Sequence, residues 1–217
     1  MMQSPEDLSQ TCPSQIRSAS QYFRTYQDVV TQLPYSAIDN VTTELLRAYE
    51  EERKVFVFGN GGSAALASHF ACDLAKGTIV NRNGQKRFRA LALTDNVPLI
   101  TAWANDDSYG NIFAEQVQNL LMPRDFTFAI SASGNSENVL RALQVGREVG
   151  AFNIGLAGFL GGKMKQLCDL CVVIPSSNMQ VIEDLQLSVT HAVFSVIRQS
   201  LFESMQDRWI SRATASD

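Results

Sequence analysis

Apolar residues recur at helical intervals through Ile16, Tyr22, Phe23, Tyr26, Val29, Val30 and Leu33, and the pattern stops at Pro34. It resumes with Ile38, Val41, Leu45 and Tyr49. This spacing lines the apolar side chains along one helix face, so the chain opens with two amphipathic helices. Their stripes need cover, either from the body of the chain or from a second copy. From Val55 the texture changes to short β-rich runs separated by helical patterns. KVFVFGN, FRALALT, DFTFAIS, FNIGLAG and LCVVIP read as strands. SAALASHFACDLAK, PLITAWAN, YGNIFAEQVQNLL, SENVLRALQVGREVG and the short KMKQLC read as helices, the fourth of them stopped by Gly150, and a long final helix spans about Ile182 to Phe202. Nearly continuous apolar strands alternating with helices predict an α/β fold: a doubly wound, three-layer sandwich around a five-stranded parallel sheet, with the two opening helices added. Ligands of such sheets sit beyond the carboxyl ends of the strands.

Composition narrows the picture. A chain of 217 residues, 45% hydrophobic and 18% charged, has material for one sizeable core. We expect a single domain over residues 15–205, including the opening helices, with flexible ends at 1–14 and 206–217. The formal net charge of −4, without a basic run, gives a nucleic-acid surface no support. No apolar stretch is long enough for a membrane span. The polar, acidic start MMQSPEDLSQTCPSQ is unlike a secretory leader. Four cysteines are too few for a disulfide scaffold, so a reducing cytoplasm is the simplest setting. Cys168-Asp-Leu-Cys171 has no second cysteine pair and opens an apolar run, so it reads as two small buried residues at the start of a strand.

Two loops carry the chemistry. Gly59-Asn60-Gly61-Gly62-Ser63 ends the first strand and opens a helix. Glycines let the backbone turn sharply there, and the helix amino terminus favours an anion, most often phosphate. Neither the P-loop lysine nor GxGxxG spacing is present. Ser131-Ala132-Ser133-Gly134-Asn135-Ser136 repeats the arrangement after the third strand: its serine hydroxyls can converge on one phosphate, and Ser136 can also cap the next helix.

With these loops in this order, followed by GGKM, and with SHF just after the first, the chain resembles the sugar isomerase (SIS) domain family over about residues 15–203. Within that family it is most similar to the phosphoheptose isomerases, which interconvert sedoheptulose 7-phosphate and a heptose 7-phosphate. The resemblance implies a five-stranded parallel sheet between helices, and a homotetramer built through the amino-terminal helices. It implies that Ser131, Ser133 and Ser136, with Asn135 beside them, hold the sugar phosphate. It places Asn60 and Ser63, in the loop with Gly61 and Gly62, at the sugar hydroxyls, and Asp95 at the substrate chain.

Zinc-dependent members carry a histidine and a glutamate four apart on the first helix, and a glutamine and a histidine eight apart near the last. The matching positions are His69 with Asp73 and Glu183 with His191, so both histidines of the chain fall at family positions. His69 and Asp73 share one helix face and make a reasonable zinc half-site. Glu183 and His191 are separated by about 12 Å of regular helix, so Glu183 must sit at a frayed helix start or one ligand must come from another subunit. Aspartate replaces the family glutamate at 73, glutamate the glutamine at 183, and Gly77 stands where the enzymes typically have an arginine. The bland alternatives are a helix-face His69 bonded to Asp73, a His191 packed between Leu187 and Phe194, and a solvated acidic turn at Asp106 and Asp107. The resemblance implies aldose–ketose isomerisation through a cis-enediol, with Asp73 and His191 moving protons. Zinc would polarise the carbonyl and compete for Asp73. The other reading is a non-catalytic module that senses a phosphosugar or binds a protein. His191 favours the enzyme.

Overall fold

The computed structural model describes residues 16–82 and 84–214, and the side chains of these residues except 207–214. Five strands form one sheet: β1 (Lys54–Gly59), β2 (Arg89–Ala92), β3 (Phe126–Ser131), β4 (Phe152–Ala157) and β5 (Leu170–Val173). Their order is β2-β1-β3-β4-β5 and every neighbouring pair is parallel. Helices α1 (Ala19–Val30) and α2 (Tyr35–Glu50) precede the sheet. Helix α3 (Gly62–Cys72) follows β1, α4 (Val97–Asp106) and α5 (Ala114–Leu120) follow β2, and α6 (Glu137–Val149) follows β3. A 3₁₀ turn at Lys163–Gln166 joins β4 to β5, and α7 (Met179–Thr214) closes the chain.

The pleat explains the layers. In β1, Val55 and Val57 face one core with α2, α3 and α7, while Phe56 and Phe58 face the other with α4, α5 and α6. Alternation of this kind, with both faces apolar, is what a doubly covered parallel sheet requires. Gly150 takes the left-handed conformation at the end of α6 (φ 81°), where a side chain would be strained. The expected sheet and helix order are therefore present. The boundaries shift in three places. The helix expected over YGNIFAEQVQNLL is a 3₁₀ turn (Tyr109–Asn111) followed by α5. KMKQLC is a single 3₁₀ turn. Helix α7 starts earlier than Ile182 and runs past 205 to Thr214. The flexible end expected at 1–14, and residues 215–217 of the one expected at 206–217, lie outside the described residues.

The two opening helices find different partners. Helix α2 buries Ile38, Val41, Leu45, Ala48 and Tyr49 inside the chain. Helix α1 buries only Val29 and leaves Phe23 62% exposed. It is tied to α7 by hydroxyls: Tyr22 donates to Asp184 at 2.5 Å, and Tyr26 meets Ser188 at 2.7 Å. Partial burial, then the hydrogen bond to Asp184 and its charge, push the Tyr22 hydroxyl up to about 12. Among the described residues no helix is long and apolar enough to cross a membrane.

Tyr26→Phe removes one half-buried hydrogen bond between α1 and α7 without changing the ring packing. The expected loss of stability is about 0.5–1.5 kcal/mol, measured as a lower urea midpoint at unchanged slope.

Candidate active site

In a sheet ordered 2-1-3-4-5, the chain leaves β1 and β3 toward opposite neighbours, and a crevice opens where the order reverses. Gly59 of β1 is in register with Ile130 of β3, so both loops emerge from adjacent strands at one level. A Cβ at Gly59 would lie 2.6 Å from the Ile130 carbonyl oxygen and 2.8 Å from Ser63 Cβ. Only glycine allows this approach of β1, β3 and α3. Gly61 turns the loop with φ 54°.

The loops are bonded together through side-chain amides. Asn60 Nδ2 donates to Asn138 Oδ1 at 2.8 Å, and Asn138 Nδ2 donates back to Asn60 Oδ1 at 2.9 Å. Tyr109 donates its hydroxyl to the same Asn60 oxygen at 3.1 Å. Asn138 and Tyr109 are site residues that the sequence reading missed. Asn138 carried a signal: it is a polar residue in the apolar stripe of α6 that also includes Val139, Ala142, Leu143 and Gly146.

The serine loop is interlocked with the turn after β4. Asn135 Oδ1 accepts from the Lys163 N–H at 3.0 Å, and the Gly134 carbonyl accepts from the Met164 N–H at 2.9 Å. Gly134 has φ 63°, and a Cβ there would lie 2.1 Å from the Gly161 oxygen. Ser133 and Asn135 are exposed, and Ser136 is half-buried. Ser131 is buried with its hydroxyl 3.3 Å from that of Ser136. Ser136 stands at the amino cap of α6 but makes no capping bond, contrary to expectation; its hydroxyl turns toward Ser131 instead. Both hydroxyls therefore lie together at the amino end of α6.

Asp95 is exposed and accepts from Ser68 Oγ, next to His69 on α3. Asp106 and Asp107 are exposed and bond to the amides of Asn105 and Asn111, in keeping with a solvated acidic turn.

The histidines meet. His69 Nε2 and His191 Nε2 are 3.4 Å apart, and they lie 3.6 Å and 3.8 Å from Asp73 Oδ2. Their ligand atoms all fall within 4.8 Å of one another. Asp73 opens a π turn (Asp73–Gly77) that continues α3. His191 is about half exposed, not packed between Leu187 and Phe194. Two imidazoles and a carboxylate at this spacing are a donor set that fits zinc. Glu183 is not brought to them. It lies within α7, not at a frayed start, and its carboxylate faces the amino end of α3, where a Cβ on Gly62 would be 3.3 Å from Glu183 Oε1. That end of a helix favours a negative charge. Gly77 also has a structural reason: a Cβ there would be 2.7 Å from Phe194 Cζ, so the Phe194 ring fills the space one turn beyond His191.

A pocket of about 240 Å³ lies between α3 and α7. Gly62, Ser63, His69, Glu183 and Gln186 contribute to its lining, so the end of the first loop and His69 share one cavity. Gln186 donates Nε2 to the Leu156 carbonyl at 3.1 Å, while its buried Oε1 has no partner.

The SIS-domain family profile matches residues 21–158, from α1 through β4. The chain belongs to the SIS-domain family. It is 35% identical over 167 residues to the phosphoheptose isomerase of Aneurinibacillus thermoaerophilus, covering 77% of this chain and 83% of the relative. It is 36% identical over 165 residues to phosphoheptose isomerase 2 of Campylobacter jejuni, covering 76% and 81%. The structure of a phosphoheptose isomerase from Francisella tularensis superimposes with a TM-score of 0.77 at 29% identity, covering 83% of this SIS-domain chain and 96% of the other.

Gly134→Ala places a methyl group against the Gly161 carbonyl and strains a positive φ. The expected outcome is a loss of about 2 kcal/mol or more and a weaker hold on inorganic phosphate, read by denaturant titration and calorimetry.

Proposed function

We propose that this protein is an aldose–ketose isomerase converting sedoheptulose 7-phosphate to a heptose 7-phosphate through a cis-enediol. The observation that carries this reading is the convergence of His69, Asp73 and His191 from α3 and α7, on the helix that begins at the glycine loop. His69 lies less than two helical turns from Ser63, about 9 Å along the axis. The relatives named above, all phosphoheptose isomerases, support the same chemistry.

Each residue then has a role. The hydroxyls of Ser131, Ser133 and Ser136, with Asn135, receive the phosphate at the amino end of α6 and orient the sugar. Asn60, its amide oriented by Asn138, meets the sugar hydroxyls together with Gly61, Gly62 and Ser63. Asp95 accepts a hydroxyl farther along the chain. Asp73 presents Oδ2 to both imidazoles, and its other oxygen removes the proton from the carbon beside the carbonyl and returns it to the neighbouring carbon. His191 moves the proton between the two oxygens of the enediol. His69 orients Asp73. His69, Asp73 and His191 would hold a zinc ion in competition with the proton transfers assigned to Asp73 and His191, with Glu183 joining them only by leaving Gly62. When bound, zinc polarises the substrate carbonyl and stabilises the negative charge of the enediolate.

We further propose a homotetramer working in a reducing, cytoplasmic setting. The motive is the apolar surface that the single chain leaves open: Phe23 on α1, and Val196 and Phe202 on α7, are each more than two-fifths exposed. Light scattering at micromolar concentration is expected to show four chains; a monomer overturns this.

The isomerase reading is tested by deuterium entering the sugar phosphate from heavy water, followed by NMR. His191→Gln is expected to leave phosphate binding intact and to slow deuterium entry by about 10²–10⁴-fold. Unchanged entry removes His191 from the mechanism. No entry in the unaltered protein, over a panel of ketose phosphates that bind, moves the protein to the sensor class.

A further inference from the structure

Cys168 and Cys171 take no part in the chemistry above. They flank the start of β5, at the edge of the sheet away from the glycine and serine loops. The sequence reads them as buried; the structure shows two half-buried free thiols. Cys171 is in register with Gly155 of β4. A Cβ on Gly155 would lie 2.7 Å from Cys168 Sγ and 3.2 Å from Cys171 Sγ. Both sulfurs therefore converge on the space that the glycine leaves empty, and Met164 Cε closes the niche at 3.2 Å from the same point. A side chain at residue 155 would have driven the sulfurs apart.

The two thiols are unequal. The hydrogen bond from Cys168 holds the Cys171 thiol below its ordinary value against the opposing effect of burial, and the charge of Lys165 adds to the lowering. Donating that bond pushes Cys168 up, and burial and the charge of Asp169 push it further. The thiolate is the attacking species in exchange with a disulfide, so the pair has an attacking member and a resolving member already in place.

We propose that Cys168 and Cys171 form a reactive dithiol site, which a low-molecular-weight disulfide such as oxidised glutathione converts to an intrachain disulfide. The Cys171 thiolate attacks one sulfur of the oxidant; the oxidant's S–S bond breaks, and one glutathione thiolate leaves. Cys168 then gives up its proton to solvent and attacks Cys171 Sγ. The mixed disulfide breaks and the second glutathione thiolate leaves. The protein pair loses two electrons and two protons, and the oxidant is reduced to two thiols. The site is independent of the isomerase reading, because neither cysteine touches the residues assigned to substrate or metal.

The test uses the full, reduced chain, incubated with oxidised glutathione, quenched in acid and alkylated under denaturing conditions. Trypsin leaves both cysteines in the peptide that begins after Lys165. The expected result is that this peptide loses two hydrogen masses and resists alkylation. In Cys168→Ser the reaction is expected to stop with glutathione held on Cys171, and in Cys171→Ser residue 168 is expected to stay unmodified. The proposal is overturned if the unaltered peptide is alkylated at both positions while the exposed Cys72 carries glutathione, or if glutathione is retained on Cys168 in the unaltered chain. The wild-type measurement stands whether or not either variant folds.

Discussion

The parallel pairing of β1 with β3 is the constraint on which the site depends. Its register sets Gly59 beside Ile130 and so brings two loops that are far apart in the sequence to one level at the carboxyl edge of the sheet. Backbone hydrogen bonds fix that level, and burial on both faces prevents a slip, since a one-residue shift would exchange the two sets of inward-facing side chains. The loops are then held by what crosses between them. The reciprocal amide pair of Asn60 and Asn138 uses one N–H and the oxygen of each side chain for orientation, and the serine loop is locked against the turn after β4 by Asn135 and Gly134. A loop held in this way has less entropy left to lose when it binds a ligand.

The cluster of His69, Asp73 and His191 depends on a second packing, that of α7 on α3. His69 and Asp73 are neighbours by helical geometry alone. His191 joins them from 122 positions away because α7 lies along α3, and glycines make the approach close. Gly62 admits the Glu183 carboxylate and Gly77 admits the Phe194 ring, one on each side of the histidines. The Glu183 carboxylate is set against the positive end of α3. The orientation proposed for the substrate, phosphate at the serines and reacting carbons at the histidines, follows from the separation of the amino ends of α3 and α6.

Much of this was legible in the sequence, for physical reasons that operate locally. Strand and helix follow from periods of two and 3.6 in the apolar residues, and both are properties of neighbouring positions. Thus the five strands, their order along the chain and both polar glycine-containing loops could be placed before any contact was known. The pairing of His69 with Asp73 is likewise an interval on one helix. The resemblance in the loops and at the two histidines supplied the chemistry, and the family membership and the superposition agree with it.

What the sequence by itself determined is therefore the set of elements, the loops that carry polar groups, and the residue types available for proton transfer. The tertiary structure decided which of those groups meet. An interval of eight along α7 could not tell that His191 turns to His69 while Glu183 turns to Gly62. A serine before α6 could not tell that its hydroxyl would face Ser131 and leave the cap unmade. Nor could CxxC at a strand start tell that Gly155, on the next strand, would leave room for both sulfurs. Each of these outcomes depends on contact between segments far apart in the chain. Such contacts are set by register and by the space that glycines leave, and a periodic pattern does not encode either.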